Sequence, residues 1–145
     1  MSLFDDLGGE PVLRSIIGTF VDRLFSDPMI GFHFRKASRR RIADMEYELA
    51  AEHLGAPVRY SGRPIREAHA AHAILGGQFD RRLEILRRTL QEAGAPPAVV
   101  THWIAHTESL RSLVTRDAGG QCIGDELAGA GGSGSAPGPP PKAAR

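Results

Sequence analysis

Residues 54 to 79 read LGAPVRYSGRPIREAHAAHAILGGQF, and this stretch decides the fold because it sets two imidazoles in a short helical run between turns rich in glycine and proline. Pro64 opens the run, where its fixed φ suits a first helical turn. The spacing predicts a third, short helix over about 64–72, with His69 and His72 at i and i+3 on a face shared with Ile65 and Ala68. A neutral imidazole on an apolar face suits a metal ion, iron or zinc above all. Spacing by itself favours a plainer reading, in which one histidine is exposed and the other is a hydrogen-bonded part of the core.

Outward from this run the chain reads as helices separated by Gly and Pro, with no alternating strand pattern to compete, so the class is all-α. A first helix is expected over 10–26, EPVLRSIIGTFVDRLFS, with Val12, Ile16, Thr19, Phe20, Arg23 and Leu24 near one side. The second should run from a Ser38 cap to His53, its inward stripe made of Ile42, Met45 or Glu46, and Leu49. A fourth over about 78–93 presents Phe79, Leu83, Leu86 and Leu90. The last, about 97–115, carries Val99, Val100, Trp103, Ile104, Thr107, Leu110, Leu113 and Val114.

At 145 residues the chain has room for one domain with a proper core. We read residues 1–117 as that domain. Composition shifts near 118, and AGAGGSGSAPGPPPKAAR from Ala128 onward lacks the branched and aromatic residues that would offset the entropy of ordering, so 118–145 is expected to be a disordered tail. Eighteen basic residues against 17 acidic ones give a net charge of +1, which offers no electrostatic reason to expect nucleic acid as a partner. No apolar run reaches the roughly 20 residues of a membrane span. The lone Cys122 and the absence of an apolar leader fit a reducing, cytoplasmic location.

Two further clusters invite chemistry. His102 and His106, at i and i+4, lack the Glu that makes an HExxH pair informative, and solvated surface is the expected fate of both. RKASRRRI, residues 35–42, has no interleaved aromatics and reads as a solvated charge cluster. No phosphate loop, nucleophile elbow or paired catalytic carboxylates is visible.

The order and spacing of LGG at 7–9, TFVDRLFSDP at 19–28, FHF at 32–34, LGAPVRYSG at 54–62, IREAHAAHAI at 65–74 and Phe79 resemble the truncated haemoglobins, especially their first group. The similarity spans about residues 3–116. It implies a two-over-two helical sandwich around a haem b, with His69 as the iron ligand because Ile74 and Phe79 stand five and ten positions after it. His72 then matches a variable, solvent-side position. The resemblance also assigns Phe34 to the porphyrin face, adds Leu86 to the cofactor-binding set, and makes Tyr60, Arg40 or another nearby basic residue the candidate partner for a haem propionate.

On the other side of the iron the sequence departs from the family. A tyrosine commonly follows the phenylalanine of the first long helix, and here Phe20 is followed by Val21. The pocket-facing positions of the second helix correspond to Ile42 and Glu46. A buried Glu46 would be expected to hold its proton and donate it; the alternative turns Glu46 to solvent and Met45 inward. Without the tyrosine, charge on a bound ligand goes uncompensated, which implies modest oxygen affinity and better relative discrimination for carbon monoxide. The implied partner is dioxygen or another diatomic gas, such as nitric oxide or carbon monoxide. Turnover as a nitric-oxide dioxygenase would need a separate reductase, and a haem-free interaction or sensory module is the alternative.

Overall fold

The computed structural model describes residues 1–116; the expected tail and Cys122 lie outside the described residues. Among the described residues all regular structure is helical, with one isolated bridge between Ile74 and Thr115. A short helix not anticipated from the sequence, α1 (Leu3–Leu7), begins the fold. Ser2 and Asp5 cap it reciprocally: Ser2 Oγ accepts from the Asp5 N–H at 3.1 Å, and the Asp5 carboxylate accepts from the Ser2 N–H at 3.3 Å. Gly8 then turns the chain at φ 123°, where a Cβ would meet Val12 Cγ2 at 2.6 Å, so only glycine fits.

The next helix, α2 (Gly9–Ser26), buries Leu13, Ile16, Ile17, Phe20, Val21 and Leu24. Its stripe is rotated from the expected one: Val12 is 37% exposed and Thr19 is also exposed. The reason is that α2 packs on two helices, α3 (Arg39–His53) and α5 (Gly76–Glu92), and Val12 instead covers the Gly8 turn. After α2, the Asp27 carboxylate accepts from the Met29 and Ile30 N–H groups at 3.0 and 3.2 Å and from Arg81 of α5 at 2.9 and 2.7 Å. The Arg81 bond is the main reason that this carboxyl is held below its ordinary range. A 3-10 turn, Gly31–Phe34, follows and stacks Phe34 on Phe25 with ring centroids 5.0 Å apart.

Ser38 caps α3 as its sequence predicts, its Oγ accepting from the Arg41 N–H at 3.2 Å. The helix has two working faces. Tyr47, Ala50 and Ala51 are buried in the core, while the half-buried Ile42, Met45, Glu46 and Leu49 face elsewhere.

The expected helix over 64–72 is shorter: α4 spans Ile65–Ala68, and His69 is the residue that ends it, at φ −107°. Tighter i→i−3 bonds take over, from Ala70 N–H to the Glu67 carbonyl and from His72 N–H to the His69 carbonyl, so the two histidines do not share a regular helical face. α5 starts before Gln78 because the Gln78 side chain accepts from the Leu75 N–H at 2.9 Å and closes the helix start. Its core face, Phe79, Leu83, Leu86 and Leu90, is buried as the spacing predicts.

The single last helix expected over 97–115 is broken into α6 (Pro97–Ser109) and α7 (Arg111–Val114). At the break, Ser109 Oγ donates to the His106 carbonyl at 2.6 Å and Leu110 N–H reaches back to Thr107, which tightens the turn. The pair α2/α3 lies against the pair α5/α6, giving a two-over-two helical sandwich. Among the described residues no helix is long and apolar enough to cross a membrane.

Candidate functional site

A cavity of about 430 Å³ opens where α3, the loop after it, α4, α5 and α6 meet. That volume lies within the roughly 300–1,000 Å³ of small-molecule and cofactor pockets. On one side is His69. Its Nδ1 lies 2.9 Å from the Ile65 carbonyl oxygen, and since a carbonyl only accepts, Nδ1 carries the proton and Nε2 keeps its lone pair. Burial lowers the pKa of this imidazole below its usual value, although the Ile65 bond opposes the shift, so the ring is neutral near pH 7 and able to act as a ligand. Ile74 and Phe79 line the same cavity, the former tied by its bridge to Thr115.

His72 also reaches the lining, but it is exposed and sits at the rim, edge-on to His33 at 6.5 Å. His33 is itself held by Gln78, its Nε2 donating to Oε1 at 3.1 Å. The two histidines of the 65–74 run are therefore chemically distinct: one half-buried with a fixed tautomer, the other at the solvent edge.

Phe34, Ile42, Met45 and Glu46 line the cavity from the 3-10 turn and α3. Glu46 is neither an isolated buried acid nor a solvent group. Its Oε2 accepts from Arg82 of α5 at 2.7 Å, with the side chains 23% and 24% exposed, and this replaces the expected proton-donating carboxyl by an ion pair. Met45 and Glu46 both face the cavity, so the expected choice between them does not arise. The Arg82 guanidinium lies 5.0 Å above the Phe20 ring centroid.

Three expected site residues stand back from the lining. Phe20, Val21 and Leu86 are no more than 1% exposed and belong to the core, because α2 buries its broad face between α3 and α5 and Arg82 covers Phe20. At the mouth, Tyr60 lines the cavity, but its hydroxyl proton goes to the Arg63 carbonyl at 2.9 Å. Arg40 is exposed and is not part of the lining, whereas Lys36, Arg41 and Arg63 are.

The far end of the cavity holds a group that sequence reasoning placed wrongly. His102 and His106 are half-buried rather than solvated, and they surround His53. His102 Nε2 donates to the His53 carbonyl at 2.8 Å, and the buried His53 Nδ1 has no partner. Burial is the main cause that pushes His53 down to about 3, and the neighbouring imidazoles push it further the same way. Among the described residues no group of three or more His, Cys, Asp or Glu side chains is arranged to hold a metal ion. Neither Arg82 nor His53 belongs to the apolar stripes by which these helices are read; the available signal was an arginine three positions after Phe79, on the inward face of α5.

A two-over-two helical sandwich with the half-buried His69 lining a cavity between its helices defines a globin-type architecture. The family model for bacterial-like globins matches residues 2–116, and the chain belongs to that family. It is similar to a group 1 truncated haemoglobin of Tetrahymena thermophila, 24% identical over 99 residues covering 68% of this chain and 82% of the relative. Group 1 truncated haemoglobin GlbN of Mycolicibacterium paratuberculosis is 26% identical over 119 residues, 81% and 88% of the two chains. Among solved structures, the truncated haemoglobin of Tetrahymena pyriformis in its Fe(III) form superimposes with a TM-score of 0.72 at 24% identity, covering 80% of this chain and all of the other. A Synechococcus 2/2 haemoglobin, in a cyanomet state with covalently attached haem, gives 0.72 at 21% identity over 77% of this chain and 94% of that one.

Proposed function

We infer that the cavity takes one haem b, that Nε2 of His69 is the protein ligand to its iron, and that the protein reversibly binds a diatomic gas, dioxygen first. The observation that carries this reading is the 2.9 Å bond from His69 Nδ1–H to the Ile65 carbonyl, which leaves Nε2 free on a residue that lines the cavity. Phe34, Ile74 and Phe79 supply apolar contact for the body of a macrocycle, and Lys36, Arg41 and Arg63 supply cations for its carboxylates at the mouth. A bound haem contributes an iron coordination position at which a small gas adds and leaves. This chain's own part is to hold one imidazole neutral and oriented, to exclude bulk water with Ile42, Met45 and Phe79, and to present the Glu46–Arg82 pair to the space that a ligand enters. Relatives described as haemoglobins support the same reading.

Titration of the full chain with hemin tests it. The expected result is a sharp Soret band saturating at one equivalent, which shifts with carbon monoxide after reduction. Free-hemin behaviour throughout the titration, with no response to carbon monoxide, would overturn the haem reading in favour of a haem-free globin-like module.

A further inference from the structure

Val21 offers no donor to the cavity, yet of the four cationic side chains that line it Arg82 alone is half-buried. Arg82 enters from α5, three residues after Phe79, and a single one of its N–H groups is taken by Glu46 of α3 at 2.7 Å. Its Cζ lies over the Phe20 ring, 5.0 Å from the centroid, so the guanidinium is held from two directions. No Arg82 nitrogen is both buried and unpartnered, so its remaining donors are open to solvent, and the residue lines the cavity. The charges of Arg82 and Glu46 also act at the His69 imidazole, in opposite senses, so the pair lies within electrostatic reach of that group.

We propose that Arg82, clamped by Glu46 and braced on Phe20, is the hydrogen-bond donor for small anionic or partly negative ligands bound opposite His69, and that Glu46 is its positioning residue. This rests on the haem reading above and deepens it by naming the ligand class. A guanidinium with one N–H engaged still presents a planar fork to an anion, and in a partly desolvated cavity such a bond is worth more than in water. Glu46 offsets the charge while the cavity is empty, so the cation is tolerated where an unpaired one would be costly. The missing tyrosine of α2 is thereby replaced from another helix, by a donor that carries full charge. Ligands that gain negative character on binding are favoured over neutral ones, which reverses the expectation drawn from Val21 alone.

The test uses the full chain reconstituted with hemin and follows absorbance during titration with azide and fluoride as anionic probes and imidazole as a neutral one. Arg82→Met keeps the aliphatic stem but removes the donors, and it should weaken azide and fluoride binding by about tenfold to a hundredfold, the usual worth of a charge-assisted bond, while imidazole affinity changes by less than about twofold. Arg82→Lys should recover part of the loss. The double variant Glu46→Leu with Arg82→Met avoids leaving an unpaired carboxylate and should match the single variant in its anion selectivity. Glu46→Gln, which leaves the cation uncompensated, should make azide affinity more dependent on ionic strength than in the wild type. Anion affinities unchanged by Arg82→Met and by the double variant, with normal Soret bands, would overturn the role of Arg82 and leave the haem reading intact. Failure of the wild-type chain to form a Soret band would overturn both.

Discussion

The imidazole of His53 lies flat on that of His106, with ring centroids 4.0 Å apart and planes inclined by 18°. His53 comes from the end of α3 and His106 from α6, so the stack joins two of the four main helices at the inner end of the cavity. Charging either ring would place a cation against a half-buried neighbour.

Acid stability follows from that stack. His53 is pushed from the usual 6.5 to about 3, and His106 is lowered as well, burial being the first cause for both. As pH falls from about 6.5 the unfolded chain takes up a proton that the folded chain refuses, so the stability of neutral His53 is complete above about 6.5 and is lost progressively below it. By pH 4 the loss attributable to His53 is on the order of 3 kcal/mol. Urea midpoints measured from pH 7 to pH 4 should fall steeply, and His53→Phe should flatten the slope to the remainder due to the other buried imidazoles, His69 and His106. An unchanged slope in that variant would remove His53 from the account.

Asp27 ties the end of α2 to α5 through Arg81 while accepting two backbone N–H groups. Asp27→Ala orphans the buried Ile30 N–H and frees the part-buried Met29 N–H and Arg81, and should lower stability by about 2 kcal/mol in chemical denaturation. Because its folded pKa is depressed, the stabilisation is present above the unfolded carboxylate value and disappears as pH drops through the lower folded one. A loss under about 0.5 kcal/mol, typical of an ordinary surface change, would contradict this.

The Gly8 turn predicts a paired effect. Gly8→Ala combines an unfavourable φ of 123° with a clash at Val12 Cγ2, and should cost about 1–3 kcal/mol in thermal or chemical unfolding. Val12→Ala in the same chain should restore the portion due to the clash and leave the backbone portion. Strict additivity of the two substitutions would show that the contact carries no energy.

The basic mouth bears on retention of the cofactor. Lys36→Glu combined with Arg41→Glu reverses two cations of the lining and should speed transfer of hemin to a scavenging apoprotein by about tenfold, the effect shrinking as salt is raised. Equal transfer rates in both chains would detach these residues from carboxylate binding.

Much of this architecture was legible in the sequence because helix starts and stops are local. Ser38 announced the beginning of α3, and the apolar spacing of Phe79, Leu83, Leu86 and Leu90 announced the face of α5. What escaped depended on partners distant in the chain. The burial of Val21 and Leu86 away from the cavity, the stacking of His53 with His106, and the Arg82–Glu46 pair all arise where separate helices meet. The end of α4 at Ala68 was hidden for a different reason: alanines in AHAAHA favour helix, and the tight turns around His69 override that preference. Resemblance singled out His69 among the two histidines, and the Ile65 bond provides a physical reason for the same choice.

His69, and not His72, is the residue proposed to hold the iron. Ferrous spectra of full-length His69→Gly and His72→Ala, each reconstituted with hemin and then titrated with free imidazole, test it most directly. The account predicts that His69→Gly loses the five-coordinate ferrous spectrum and regains it when imidazole enters the space left by the side chain, while His72→Ala behaves as the wild type. Loss and rescue in His72→Ala, with an unchanged spectrum in His69→Gly, would contradict it.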